Sequence, residues 1–367
     1  MRVGGRHYRT IERASDTWAI DIIDQTRLPH HFETQRLETL EQAATAIRDM
    51  QVRGAPLIGA TAAYGVCLAL REDASDDALR RSCDTLNATR PTGINLAWAL
   101  KRMRRGLSAL PEGERVQRAY ELADAIADED VSICEAIGRH GMPIIQDIHE
   151  ARGDGRTVNI LTHCNAGWLA TVDWGTALAP VYKAHNAGIP VHVWVDETRP
   201  RNQGASLTAW ELLSHGVDHT VVVDNAGGHL MQTGKVDMVI TGSDRTTAGG
   251  GVFNKIGTYL KALAAHDNAI PFYVGLPGPT IDWEVGDDAT SVPIEERPLK
   301  EVTEISGRDT DGSITSVRLT PDGSDAANPA FDFTPARLVT GLITERGVCE
   351  ASGEGLLSLY SERRAHG

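Results

Sequence analysis

Residues able to do chemistry follow several short apolar segments in the second half of the chain. Cys164 comes directly after one such segment, and Asp196, Asp224 and Asp244 come after three others. A cysteine in a strand-to-helix turn can have a lowered pKa, because helix N–H groups stabilise the thiolate, which can act as a base or nucleophile. A carboxyl group that is partly shielded from water has a raised pKa and can donate a proton near neutral pH. Sequence position leaves open which aspartate has this role, and Cys164 could equally be a packed structural thiol.

Two kinds of feature could bind a phosphate group. The segment 247–251 (TAGGG), followed by Asn254 and Lys255, resembles a phosphate cradle in which glycine N–H groups, a helix start and a lysine charge meet. Arg53 and Arg90 each begin a turn, RGA and RPT, and either arginine could clamp a phosphate with two hydrogen bonds. Glycine-rich loops can also be merely flexible, and such turns can be ordinary surface turns, so both readings stay open.

The histidine and cysteine pattern does not indicate a metal site. His163 is adjacent to Cys164, but neighbouring residues on an extended chain point to opposite faces, which argues against a Cys/His dyad. The 5 cysteines are scattered without a CxxC pair, and no HExxH motif occurs. The sequence therefore predicts neither a disulfide framework nor a metal centre, and it indicates a reducing cytoplasm.

The elements that must position these residues form a parallel sheet. Segments that are apolar on both faces alternate with helix-like stretches, which is typical of parallel strands joined by crossover helices. We predict a doubly wound, Rossmann-like domain, in which ligands bind outside the carboxyl ends of the strands. The polar residues above would then converge on one edge of the sheet. The predicted strands are 158–162, 191–195, 220–223, 237–241, 271–274 and 338–343.

The first half of the chain is predicted to be mainly helical. A helical pattern over 37–69 is interrupted at RGAP, where Pro56 fits the first turn of a new helix. A second break at RPTG precedes a helix over 94–103, and residues 114–140 form one long helix.

The fold class is therefore α/β, with two domains. We predict a mainly helical N-terminal domain over 1–150 and a Rossmann-like domain over 151–367, with the boundary in the polar segment 149–156. Residues 283–335 are rich in Asp, Gly, Ser and Pro, and we interpret them as an excursion between the last two strands, with a hairpin at 314–319.

Composition excludes several classes of protein. The 367 residues carry 36 Lys+Arg and 50 Asp+Glu, a net charge of −14, which argues against a nucleic-acid-binding surface. The hydrophobic fraction of 41% is typical of a globular protein and not of a disordered one. No apolar run approaches the roughly 18 residues of a membrane span. The first ten residues lack the apolar region of a secretory signal.

The same segments resemble the methylthioribose-1-phosphate isomerase family. This family belongs to a wider group with the alpha, beta and delta subunits of eukaryotic initiation factor 2B, and the intact HCNAG, GSDR and NK elements favour the isomerase branch. The resemblance extends in order over nearly the whole chain. The matching segments are VRGAPLIGATAAYG (52–65), TRPTGINL (89–96), LTHCNAGWLAT (161–171), VDETRPRNQGASLTAWEL (195–212), DNAGGHLM (224–231), ITGSDRTTAGGGVFNKIGTY (240–259), PIEER (293–297) and NPAFDFTPARLVTGLITERG (328–347).

The resemblance implies an aldose–ketose isomerase of methionine salvage. The family converts cyclic 5-methylthioribose 1-phosphate into open-chain 5-methylthioribulose 1-phosphate. Because the phosphate occupies the anomeric oxygen, the ring cannot open to a free aldehyde, and acid catalysis at the ring oxygen is needed. By resemblance Asp244 is the proton donor and Cys164 the second catalytic residue, in a homodimer without metal or organic cofactor. The implied substrate contacts are Arg53, Gly54, Ala55, Arg90, Gln203, Asn254 and Lys255.

Trp168 departs from the family pattern, which usually has a small residue after HCNAG. Trp168 either packs between the domains or forms a wall shaping the pocket for the 5-substituent. Because a hydrophobic pocket separates such groups by only about 1–3 kcal/mol, 5-deoxyribose 1-phosphate is a second candidate substrate. Two alternatives remain: a ribose 1,5-bisphosphate isomerase, and a non-catalytic regulatory subunit that senses sugar phosphates.

Overall fold

Short strands open the chain and a group of helices follows. The structure is a computed structural model and describes residues 1–153, 155–286 and 291–366. β1 pairs with β2, and β3, β4 and β5 form a separate antiparallel sheet. The sequence does not predict these strands, because two to four residues are too few to show an alternating pattern. The elements of this part are β1 Arg2–Val3, β2 Arg6–His7, β3 Ile11–Arg13, β4 Ile20–Ile23, β5 Thr34–Leu37, α1 Leu40–Arg48, α2 Ala55–Glu72, α3 Asp76–Asn87, α4 Ile94–Leu107 and α5 Glu112–Arg152.

The helices begin where the sequence breaks predict. α2 follows Gly54 and carries Pro56 in its first turn, where the missing N–H has no cost. α4 follows the break that ends at Gly93. From Leu57 to Leu70 every residue of α2 is buried, so α2 is the central helix of the first hydrophobic core. Its amino end is thereby fixed in position.

Strands and helices alternate from Val158 onward. The elements are β6 Val158–Thr162, α6 Leu178–Asn186, β7 Val191–Asp196, α7 Ala209–His215, β8 His219–Val222, α8 Ala226–Gln232, β9 Met238–Thr241, β10 Arg245–Thr247, β11 Val252–Lys255, α9 Thr258–Asp267, β12 Phe272–Gly275, β13 Ile281–Asp282, α10 Lys300–Thr303, β14 Glu304–Arg308, β15 Ile314–Arg318, β16 Phe331–Thr334, β17 Gly341–Thr344, β18 Gly347–Cys349 and α11 Gly353–Leu359.

The large sheet has the strand order β18-β17-β12-β9-β6-β7-β8 and is parallel except for β18. The predicted strands and the α/β fold class are confirmed, although β17 begins three residues later than expected. After β8 the chain returns to the other side of β6 to form β9. The crevice at the carboxyl ends of β6 and β9 is therefore the switch point at which such sheets bind ligands.

Both faces of this sheet are buried at its central strands, among them β6 and β9. Ile160 and Val193 belong to one hydrophobic cluster, and Leu161 and Val239 belong to the cluster on the opposite face. Alternate residues of each strand thus enter different cores, which explains why the strand segments are apolar throughout. Within the described part of the chain, no helix combines the length and the hydropathy needed to cross a membrane.

A smaller sheet of order β13-β10-β11-β16 lies beside the large one, and β14 pairs with β15 in a hairpin. The hairpin extends over 304–318, so the predicted hairpin at 314–319 covers little more than its second strand. Residues 287–290 of the predicted excursion lie outside the described residues, as does Asp154 in the predicted boundary. The division at 150/151 stays a prediction.

Candidate active site

One cavity of about 110 Å³ lies at the switch point. The amino end of α2 and the turn before α4 contribute to its lining, together with the residues that follow β6 and β9. The two catalytic residues and seven substrate contacts that the resemblance implies all line it: Arg53, Gly54, Ala55, Arg90, Cys164, Gln203, Asp244, Asn254 and Lys255. Their roles are inferred from the surroundings of each side chain.

Cys164 lies in a strained turn directly after β6. Its φ of 69° is in the left-handed region, which residues with a side chain rarely adopt. Its N–H donates to Thr198 Oγ1 at 2.8 Å, and its carbonyl accepts from Thr208 Oγ1 at 2.8 Å. These two bonds and the packing of the turn hold the strained conformation. The sulfur is thus presented to the cavity by backbone geometry.

Burial raises the pKa of the Cys164 thiol, although the charges of Arg53 and Lys255 oppose the shift. The expectation of a lowered pKa is wrong. The element after Cys164 is a single 3₁₀ turn at Trp168–Ala170, so no α-helix begins there to stabilise a thiolate. The group is therefore a neutral thiol at neutral pH.

Asp244 is the aspartate that faces the cavity. Its backbone N–H donates to Phe253 O at 2.9 Å, which joins the end of β9 to β11. The carboxyl is half-buried, and burial raises its pKa while the cations Lys255, Arg53 and Arg90 act against the rise. A raised pKa keeps more of the protonated acid at neutral pH than an exposed aspartate would have. Asp244 is thus able to donate a proton.

The other two aspartates are occupied elsewhere. Asp196 is fully buried and lies 2.9 Å from His163 Nδ1 and 3.0 Å from Lys261 Nζ. Asp224 accepts hydrogen bonds from the backbone N–H groups of Thr198 and Arg199 at 2.6 and 2.7 Å. Neither residue lines the cavity. Of the three aspartates that sequence position left open, Asp244 lines the cavity and the other two do not.

His163, Asp196 and Asp224 bring potential metal-ligand atoms within 4.8 Å of one another. The ammonium group of Lys261 already lies between them, 3.0 Å from the Asp196 carboxylate and bonded to the Asp224 carbonyl. The His163 ring nitrogens contact Asp196 and the Ile256 carbonyl. The cluster is therefore a lysine-centred polar network, and His163 is engaged away from Cys164.

Two cations in the cavity are free to meet a ligand. In the described part of the chain, Arg53 donates only to the side-chain and main-chain oxygens of Asn165, the latter at 2.7 Å. Lys255 is 7% exposed, and burial lowers its pKa while Cys164 and Asp244 oppose the change. Among the residues that the structure describes, neither cation has a carboxylate within 4 Å. Their charge is available to an anion at the amino end of α2.

Neutral and paired polar groups complete the lining. Arg90 donates to Glu295 Oε2 at 2.9 Å, which ties the PIEER segment to the cavity. Gln203 is 7% exposed, and its Oε1 has no hydrogen-bond partner in the described chain. Asn254 donates to Thr258 Oγ1 at 2.9 Å. Gln203 in particular can accept a hydrogen bond from a ligand hydroxyl.

The prediction of a glycine-rich phosphate cradle is wrong. The segment 247–251 forms the turn between β10 and β11, with Thr247 N bonded to Gly251 O at 2.8 Å. A Cβ on Gly250 would lie 2.5 Å from the backbone of Ala351, so the glycine serves a close contact outside the cavity. Asn254 and Lys255 lie on β11, and the following helix begins only at Thr258.

The interpretation of Trp168 as a pocket wall is also wrong. Its side chain is 1% exposed, stacks on Trp210 at a centroid distance of 6.2 Å and does not line the cavity. Trp168 is a packing residue, and its stacking partner Trp210 lies in the same predicted domain. Ala170 and Thr171 reach the cavity instead.

Residues without an assigned role in the sequence analysis also shape the site. Asn165 holds Arg53, Thr198 holds the Cys164 turn, and Glu295 holds Arg90. All three lie in the quoted segments HCNAG, VDETRP and PIEER. A polar residue after a strand end is the only signal that could have pointed to the first two.

Comparisons with known proteins show the family of the chain. A model of the Initiation factor 2 subunit family matches residues 51–351. A protein of Rhodospirillum rubrum named methylthioribose-1-phosphate isomerase is 65% identical over 99% of this chain and 94% of its own. One of the same name from Methylorubrum extorquens is 64% identical over 99% of both chains.

Solved structures show the same similarity. The crystal structure of 5-methylthioribose 1-phosphate isomerase from Pyrococcus horikoshii OT3 has a TM-score of 0.83 at 37% identity and covers 97% of each chain. That of the translation initiation factor eIF-2B, subunit delta, from A. fulgidus has a TM-score of 0.79 at 38% identity, covering 97% of this chain and 100% of its own.

Proposed function

The chain belongs to the Initiation factor 2 subunit family, and from this we propose that it is an aldose–ketose isomerase acting on 5-methylthio-D-ribose 1-phosphate. Its product is 5-methylthio-D-ribulose 1-phosphate, an intermediate of methionine salvage. The observation that supports this chemistry most directly is that Cys164 and Asp244 both line the cavity at the crevice between β6 and β9.

Asp244 begins the reaction by opening the ring. It donates its proton to the ring oxygen as the bond from that oxygen to C1 breaks, and the bonding electron pair stays on the oxygen. The hydrogen on C2 then moves to C1, and the C2 hydroxyl gives its proton to the Asp244 carboxylate. This restores the acid and leaves a ketone at C2 and the phosphate on the C1 oxygen. Cys164 is the second catalytic residue and acts in this transfer. The raised pKa of Asp244 supports its part, because the first step needs the protonated acid.

The phosphate binds where the positive charge is available. Arg53 offers a guanidinium group, Gly54 and Ala55 form the amino end of α2, and Lys255 adds an ammonium group beside the catalytic pair. Arg90, Gln203 and Asn254 contact the sugar and its phosphate. Because Lys255 forms no competing ion pair with a carboxylate in the described residues, its charge supports phosphate binding.

The 5-substituent meets an apolar part of the cavity, to which Met50, Ile58, Val292 and Phe331 contribute. Such a surface distinguishes a methylthio group from a methyl group by only about 1–3 kcal/mol. We therefore include 5-deoxyribose 1-phosphate as a second substrate.

Replacing Trp168 by phenylalanine is expected to leave the ratio of kcat/KM for the two sugars unchanged within about twofold. The reason is that Trp168 packs on Trp210 away from the cavity. The variant loses stability by about 1–3 kcal/mol, which a thermal melt measures. A large change in the substrate ratio at unchanged stability would restore the wall interpretation.

We further propose a homodimer in the cytoplasm. β8 is paired only with β7 in the described residues, and the nearby Val221 and Val223 are 44% and 60% exposed, which supports association through this edge. All 5 cysteines are free, in keeping with a reducing compartment. Light scattering should give twice the chain mass of 39.6 kDa. A monomer at micromolar concentration contradicts the dimer.

The function is tested by an NMR assay of the purified protein with 5-methylthioribose 1-phosphate and 5-deoxyribose 1-phosphate in parallel, without added metal. Formation of the ketose 1-phosphates establishes the isomerase, and the ratio of rates gives the preferred 5-group. Faster turnover of ribose 1,5-bisphosphate would assign the protein to that isomerase instead. Binding of the sugars without turnover, in an assembly larger than a dimer, would indicate a regulatory subunit.

A further inference from the structure

A buried carboxyl group lies behind the cavity without lining it. Glu211 on α7 is 1% exposed and is absent from the cavity wall. Its Oε1 accepts a hydrogen bond from Asn165 Nδ2 at 3.1 Å, and its Oε2 accepts one from Leu169 N at 3.0 Å. Both donors belong to the turn that follows Cys164. Glu211 thus contacts this turn from the side opposite to the substrate.

The Asn165 side chain connects Glu211 to Arg53. Its amide nitrogen donates to Glu211 Oε1 and to Thr208 Oγ1, each at 3.1 Å, which uses both amide hydrogens. Its Oδ1 therefore faces the Arg53 guanidinium, which also donates to the Asn165 carbonyl at 2.7 Å. Rotating the amide by half a turn would place hydrogens against the guanidinium and an oxygen against the carboxyl. Glu211 accordingly determines which way Asn165 points.

Gly167 makes room for this contact. A Cβ at Gly167 would collide with Glu211 Oε1, so no side chain could be tolerated at this position. The glycine of the HCNAG segment is thus required by the approach of the carboxyl group. Burial of a carboxyl is costly unless its oxygens are bonded, and both oxygens of Glu211 are used on this turn.

We propose that Glu211 is a positioning residue for substrate binding, which fixes the Asn165 amide and through it the Arg53 guanidinium. This rests on the proposed function only in that Arg53 binds the substrate phosphate. Burial raises the pKa of Glu211 to about 7, while Leu169 N–H and the charge of Arg53 lower it, so the carboxyl responds to Arg53. A guanidinium displaced by about 1 Å binds phosphate much less well.

Glu211→Gln tests the proposal with little change in volume. Because the backbone N–H of Leu169 cannot turn away, the amide oxygen of this variant stays on Leu169 N and its NH₂ group meets Asn165 Nδ2, so the Asn165 side chain is no longer fixed. KM for 5-methylthioribose 1-phosphate is expected to rise about 10- to 100-fold, with a smaller change in kcat. Asp130→Asn is the matched control, because Asp130 is a half-buried carboxyl that likewise accepts from a backbone N–H, that of Val172 at 2.7 Å. Its KM should stay within about twofold at a similar loss of melting temperature.

A double variant separates positioning from a general structural effect. If Glu211 acts through Arg53, adding Glu211→Gln to Arg53→Met raises KM little beyond the Arg53 variant alone. If the fold-increases in KM of the two single variants multiply in the double variant, the two residues act independently and the proposal is wrong. If Glu211→Gln does not fold, Asn165→Ala removes the same connection while Glu211 is kept, and an unchanged KM in that variant is equally decisive against it.

Inorganic phosphate provides a readout that does not depend on turnover. Phosphate should raise the melting temperature of the wild-type protein, and this rise should be lost in both Arg53→Met and Glu211→Gln but kept in Asp130→Asn. If the four proteins show this pattern of phosphate responses but the wild type has no isomerase activity, the proposed function is wrong and the positioning role still stands. A full phosphate response in Glu211→Gln would sink the positioning role alone.

Discussion

Asp244→Asn lowers kcat by about 10²–10⁴-fold, the range expected when a general acid is removed. The amide has nearly the shape of the protonated carboxyl but no proton to give to the ring oxygen. Because Arg53, Lys255 and the amino end of α2 are unchanged, the substrate still binds. Rapid-quench or NMR turnover together with calorimetric binding measures the two quantities separately. Near-normal turnover of Asp244→Asn would remove Asp244 from the mechanism.

Asp224→Asn is the matched control for this experiment. Asp224 also follows a strand of the large sheet, but it bonds to backbone N–H groups and does not line the cavity. We expect it to keep turnover within about tenfold of the wild type, with some loss of stability. A loss of turnover as large as that of Asp244→Asn would mean that turnover depends mainly on the support that Asp224 gives to the Thr198 turn, and not on acid catalysis.

The raised pKa of Asp244 gives the reaction a pH dependence of defined sign. The acid works in its protonated form, so kcat is high below the pKa of Asp244 and falls as pH rises through it. Burial extends the active range upward from that of an exposed aspartate. The small residual activity of Asp244→Asn should lack this alkaline fall.

The position of the site could be derived from the sequence because it depends on topology. Apolar segments such as 158–162 and 237–241 identify buried parallel strands, and parallel strands bring the residues after them to one edge. Cys164 and Asp244 then lie near each other whatever the details of the loops. The breaks before α2 and α4 were equally readable, because Pro56 and Gly93 act locally on the backbone.

The choice among similar residues needed the tertiary structure. Asp196, Asp224 and Asp244 have the same local setting, and they differ only in distant partners such as Lys261. The glycine run 247–251 has the composition of a phosphate loop, but its geometry is set by the pairing of β10 with β11. Trp168 follows the site in sequence and yet faces Trp210. Contacts across large sequence separations, including Glu211 with Asn165, leave no local pattern.

Cys164→Ser is expected to abolish most activity while the protein stays folded and binds substrate. A serine hydroxyl is smaller than the neutral thiol and a stronger hydrogen-bonding group, so it does not reproduce the weakly polar contact that the thiol makes beside the sugar carbons between which the hydrogen moves. The turn should tolerate it, because the bonds to Thr198 and Thr208 involve only the backbone of Cys164. Cys67→Ser is the control: this thiol is also fully buried, and a hydroxyl can replace it in donating to Ala63 O. Full activity of Cys164→Ser would identify Cys164 as a packing residue.

The neutral state of the Cys164 thiol turns this prediction into a test of mechanism. A neutral thiol cannot accept the C2 proton, so a base mechanism requires that substrate binding expels the thiol proton, whereas a hydride shift needs no such loss. A substrate with deuterium at C2, run in ordinary water, separates the two. Deuterium retained at C1 supports direct transfer beside a neutral thiol, and deuterium lost to water supports proton abstraction by a thiolate. Because Arg53 and Lys255 both lower the pKa of the thiol, phosphate binding that neutralises their charge works against thiolate formation, and we expect the label to be retained.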